Sequence, residues 1–174
     1  MADKQKYPSE IIDLPSKGLV YSEDSPLRSG KLEIKYMTAK EEDILTSQNL
    51  IKKGVVINQL LKSLILTEGV SADDLILGDK NAVMVASRIL AYGSAYPCEV
   101  INPNTGEKLT VSFDLSDCPF KDLPDEIDYS LGQFEVELPV SKDKVIFKLL
   151  TGKDEREIIK ELESLKKVGG GSTE

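Results

Sequence analysis

Histidine is missing from this sequence. Its absence removes the commonest general base near neutral pH and the commonest metal ligand, and with them any Ser-His-Asp or Cys-His constellation. Cysteine is scarce. Cys98 and Cys118 stand without companions, too few for a disulfide framework, so free thiols in a reducing cytoplasm are expected. A zinc site built on them would have to borrow two carboxylates. The turn at Asn102-Pro-Asn-Thr-Gly has the outline of a zinc knuckle but holds Asn102 and Thr105 where thiols are required. There is no glycine-rich phosphate loop, and Asp114, Asp117 and Asp122 lack the spacing of an EF-hand. Neither a cofactor nor a metal is expected. Basic charge is also in deficit. With 22 Lys+Arg against 30 Asp+Glu, a net charge of −8 and a pI near 4.8, sequence-nonspecific nucleic-acid binding is disfavoured. No apolar run approaches the ~18 residues that cross a bilayer. The start, Met-Ala-Asp-Lys-Gln-Lys, has no apolar segment, so no signal peptide is expected.

What is present is a chain of 174 residues with 40% hydrophobic and 30% charged side chains, the composition of one soluble globular domain, with or without appendages. Its organising stretch is residues 35–66, read as two helices broken at Gly54. Thr38 followed by Glu41 forms a capping box. Ile44, Leu45, Leu50 and Ile51 give a narrow stripe, and Lys52, Lys53 and Gly54 suit a helix end. The next helix is apolar over much of its surface, from Val55 and Val56 through Leu60, Leu61 and Leu64 to Leu66, and is read as the core element. The acid runs Glu41-Glu-Asp and Asp73-Asp74 read as solvated first turns.

Tyr36-Met-Thr-Ala-Lys-Glu-Glu-Asp-Ile-Leu followed by Asn49-Leu-Ile-Lys-Lys-Gly resembles the baseplate hub assembly protein of T4-like contractile-tailed bacteriophages. Leu14-Pro-Ser-Lys-Gly, Tyr21 and Gly78-Asp-Lys-Asn fit the same family. The likeness covers residues 11–93 well and the rest loosely, and consists of structural punctuation and core pattern. It implies a non-enzymatic protein of the phage tail that takes part in assembling the central baseplate hub. Its partners would be other baseplate, hub, spike or tail-tube proteins, with no nucleic acid, membrane or small-molecule substrate. It would act in the host cytoplasm during assembly and could remain in the virion baseplate. The alternative is a transient chaperone for a hub protein, absent from the mature virion. A small hydrolase using carboxylates alone is the remaining enzymatic reading, which a turnover assay addresses.

Residues 1–37 read as an extended arm. Pro15 keeps Leu14 out of a helix, Gly18 permits a turn, and Lys31-Leu-Glu-Ile-Lys-Tyr alternates as a short strand with Leu32, Ile34 and Tyr36 on one face. Residues 38–93 form the helical core. After a connector in which Ser71 is placed to cap a short helix, Asp79 is a candidate N-cap for a third helix over 80–92, closed by Gly93. Residues 94–150 read as β. Two strand pairs are expected, around Asn102-Pro-Asn-Thr-Gly-Glu and across residues 139–143, with a loop over 116–132 between them. Leu109, Val111 and Phe113 alternate with polar residues, which leaves one wet face. Residues 151–168 read as an amphipathic helix, with a capping box at Thr151 and Asp154. Residues 169–174 read as a flexible tail; the family tends to continue with more helix, so the member is short or the native chain is longer.

The fold expected is therefore α+β: three core helices, a small four-stranded antiparallel sheet, an extended N-terminal arm and a C-terminal helix. Candidate partner-binding residues lie at the two ends. Ile11, Ile12, Leu14, Leu19 and Tyr21 belong to the arm, which either folds onto its own domain or docks on a neighbour. Ile158, Ile159, Leu162 and Leu165 form one stripe of the last helix. Such a stripe invites association if left in water, so at least one end is expected to dock on another chain.

Overall fold

The computed structural model describes residues 7–121, 123–129 and 132–168. The tail expected over 169–174 lies outside them. Strand β1 (Ser9–Asp13) pairs antiparallel with β2 (Lys31–Lys35), Ser9 opposite Lys35 and Asp13 opposite Lys31. The alternation in β2 does what it predicts, since Leu32 and Ile34 share one face and both are buried. Between the strands, Ser25 caps a 3-10 turn (Pro26–Ser29) by accepting from the Leu27 N–H. The Leu14 N–H donates to the Gly30 carbonyl at 2.8 Å and closes the pair. Gly18 and Gly30 meet here with φ of 77° and 68°, and a Cβ on Gly18 would lie 2.3 Å from the Arg28 carbonyl oxygen. Only glycine fits both the dihedral and the gap. The stretch read as an extended arm is thus folded into the body of the protein.

Helices α1 (Ala39–Thr46) and α2 (Gln48–Lys52) replace the single helix expected before Gly54. The break is at Ser47, which is extended, and the Thr46 hydroxyl donates back to the Glu42 carbonyl at 3.0 Å, a competitor that bends helices. Gly54 ends α2 as expected. With φ of 67° it donates to the Ile51 carbonyl, and Val55 donates to that of Leu50, the paired bonds of a Schellman motif. Helix α3 (Val56–Leu64) is shorter than its apolar run because Ile65 leaves it to bridge Ile34. Residues 72–74 form a turn instead of a short helix, and α4 (Leu77–Tyr92) starts with Ile76 as N-cap, which puts Asp79 inside the first turn. The core that results contains Leu14, Leu27, Leu32, Ile34, Leu61, Ala72, Leu75 and Val83.

Beyond Gly93 the chain spreads out. Strands β3 (Ala95–Ile101) and β4 (Lys108–Asp114) form one hairpin, and β5 (Phe134–Glu137) and β6 (Lys144–Phe147) another. Helix α5 (Gly152–Val168) follows. The four strands do not join into the four-stranded sheet expected; among the described residues the fold is α+β with three separate two-stranded antiparallel sheets and five α-helices. Each hairpin closes over a short turn. Between β4 and β5, however, come a 3-10 turn (Leu115–Asp117) and a linker with Pro119 and Pro124, which cannot donate to a ladder.

Candidate interaction surface

The residues singled out at the N-terminal end divide. Leu14 is in the core, and Ile12 and Tyr21 pack against it. These three pack within the chain's own fold. Ile11 and Leu19 remain exposed. The family-like punctuation turns out to be one clamp. Asp79, expected as a cap, is fully buried and accepts from the Ser16 N–H at 3.0 Å, the Ser16 hydroxyl at 2.6 Å and the Tyr21 hydroxyl at 2.7 Å. The Tyr21 oxygen in turn accepts from the Ile76 N–H at 3.1 Å. Three donors and the first turn of α4 offset the burial of the carboxylate. Burial, and then the hydrogen bond to Asp79, push the Tyr21 phenol well above its ordinary pKa.

Glu41 is a second correction: it is buried, whereas Glu42 and Asp43 beside it are solvated. Lys35 Nζ lies 2.8 Å from its Oε1, with both side chains almost wholly shielded. The hydroxyls of Ser63 and Thr38 and the Thr38 N–H also donate to it. Burial works to raise the Glu41 pKa, but the bonds from Lys35, Ser63 and Thr38 together outweigh it and bring the pKa from 4.5 down to about 2. The capping glutamate therefore ties β2, α1 and α3 together.

Helix α5 is pinned at its base and free along its length. The capping box forms as expected: Thr151 N–H and hydroxyl donate to Asp154, and the Asp154 N–H donates back to Thr151. Lys148, then Thr151, hold the Asp154 carboxyl below the usual carboxylate range. Leu77 N–H donates to the Leu150 carbonyl, Gly152 N–H to that of Leu75, and Lys153 N–H to that of Asp73. Arg156 pairs with Asp73 at 3.0 Å and Lys80 with Glu155 at 2.9 Å. Gly152 is buried, and a Cβ there would come within 3.1 Å of the Asp73 Cα. Past this anchor the stripe opens to water: Ile158 is 44% exposed and Leu165 67%, with Ile159 and Leu162 between.

A further apolar surface was not singled out in the sequence. Strand pairing sets Tyr96 opposite Phe113, Cys98 opposite Val111 and Val100 opposite Leu109, so one face of the first hairpin is apolar throughout. In the second, Phe134 faces Phe147 and Val136 faces Val145. Period-two alternation signalled these faces, but it implied that the apolar side would be covered. Instead Tyr96, Leu109, Phe113, Val136, Val145 and Phe147 are all exposed. Among the described residues no group of three or more Cys, Asp and Glu side chains could hold a metal ion, and no helix is long and apolar enough to cross a membrane.

The described residues combine a buried core between Leu14 and Val83 with bared apolar hairpin faces and an amphipathic helix anchored at its first turn. Residues 19–164 match the family described as T4 bacteriophage base plate protein, and the chain belongs to that family. Comparison with curated proteins and with solved structures gives no match. The family makes this a phage baseplate protein.

Proposed function

We propose that the protein takes part in assembling the central hub of the baseplate through protein–protein contacts, in the host cytoplasm, with other hub, spike or tail-tube proteins as its neighbours. The observation that carries this reading is the α5 stripe. A helix fixed at its first turn presents Ile158, Ile159, Leu162 and Leu165 at the spacing of a helix-in-groove contact. Such a stripe is stable when a partner covers it. The double substitution Ile159→Ser with Leu162→Ser is expected to leave the melting temperature within about 2 °C of the parent, since these side chains lie outside the core. It is expected to block incorporation into the baseplate. Mass spectrometry of purified virions checks both the incorporation and the stage. A parent chain found in assembly intermediates but absent from virions is a transient chaperone, and normal assembly of the double variant removes α5 from the contact.

A further inference from the structure

The excess negative charge of this protein is not spread evenly. Residues 94–150 hold eleven acids against five bases, so they carry −6 of the net −8. Four of those bases are already neutralised: Lys108 pairs with Glu99, Lys142 with Glu137, Lys144 with Glu135 and Lys148 with Asp154. In the linker between the hairpins, Asp117, Asp125 and Glu126 have no cationic partner among the described residues. This charge is continuous in the chain with the two apolar faces, that of Tyr96, Leu109 and Phe113 and that of Val136, Val145 and Phe147.

We infer that the hairpin faces dock on a different protein, one that offers an apolar patch rimmed by lysine and arginine. A second copy of this chain is the wrong occupant. Bringing two such regions together sets −6 against −6, and the remainder of the chain, at −2 overall, supplies no excess of cations. An apolar face carried by an acidic region steers a basic partner and penalises an acidic or identical one. The inference rests on the baseplate reading for its setting and extends it to a second surface, apart from the α5 stripe.

The test places a photo-reactive phenylalanine analogue at Phe113 or at Phe147 of the full chain, with Thr110 on the polar face as control, in cells where tails are assembling. The expected product joins Phe113 or Phe147 to a lysine- and arginine-rich segment of another tail protein, and Thr110 gives none. Combining Asp117→Lys, Asp125→Lys and Glu126→Lys brings the region to a formal charge of zero and is expected to lower the yield about tenfold at low salt. The melting temperature of that variant should be unchanged. Cross-links to a second copy or to an acidic segment, a yield indifferent to the charge reversal, or no cross-link from either phenylalanine would overturn the inference. Cross-linking to a basic tail protein by a chain that baseplates never contain would instead overturn the hub reading and leave this one standing.

Discussion

Residues 7–93 and residues 94–165 use the same apolar side chains to opposite ends. Among the described residues, every buried hydrophobic side chain of the core lies between Leu14 and Val83. Of the twenty-five exposed large hydrophobics among the described residues, eighteen lie at Tyr96 or beyond, so the second region is where association is decided. Leu61 and Leu109 make the contrast concrete: both sit on an apolar face of a regular element, and one is sealed while the other is 46% exposed. An amphipathic pattern specifies a face; it does not specify that the same chain covers it.

The sharpest way to break the comparison is to put a carboxylate at each of those positions. Leu61→Asp is expected to abolish folding, because an unpaired buried charge costs several kcal/mol against a typical total of ~5–15 kcal/mol. Leu109→Asp should change stability by no more than ~0.5 kcal/mol. Denaturant melts of the two variants measure the difference, and equal losses would mean that the hairpin is part of the core.

Acid titration separates the regions next. Because the folded-state pKa of Glu41 is depressed from 4.5 to about 2, its contribution is fully present above pH 4.5 and is lost as pH falls through about 2. The shift corresponds to about 3 kcal/mol. Glu41→Gln should remove a similar amount at neutral pH, leave Lys35 buried without its counter-ion, and flatten the acid limb of the stability profile. An unchanged acid limb in that variant would shift the acid sensitivity elsewhere.

Tyr21→Phe is a smaller lesion of the same half. It deprives Asp79 of one donor and the Ile76 N–H of its acceptor, for an expected loss of about 1–2 kcal/mol by thermal melting. At the base of α5, Gly152→Ala should cost about 1 kcal/mol through crowding against Asp73. Its signature is faster amide exchange in the first turns of α5 with the exchange of α3 unchanged, and uniform loss across both helices would contradict the division.

Much of the local structure was legible. The alternation of β2, the Asn102 to Glu107 turn, the left-handed glycines at 54 and 93 and the box at Thr151 all depend on neighbours in sequence. What was not legible depends on distant partners. β1 is a strand because β2 lies beside it, with no tight turn between them to announce the pairing, and Leu14 and Tyr21 are internal for the same reason. Asp79 has the residue type of a cap, yet Ser16 and Tyr21 reach it across the fold. The two hairpins stay separate; their turns were plain from composition, but whether one hairpin would pair with the other was not. Of the proposed surface, the α5 stripe was readable from spacing alone, whereas the exposure of the hairpin faces required knowing how little of the chain lies over them.

The contact between Leu77 and Leu150 also bears on how such a protein can change over time. The chain departs at the start of α4 and returns to the same spot after β6, so α4 together with everything from β3 to β6 is an excursion with closed ends. Doubling the length of such an excursion costs only ~0.6 kcal/mol of closure entropy. A lineage whose neighbours differ can therefore lengthen, shorten or exchange its hairpins while the foundation that holds them stays as it is.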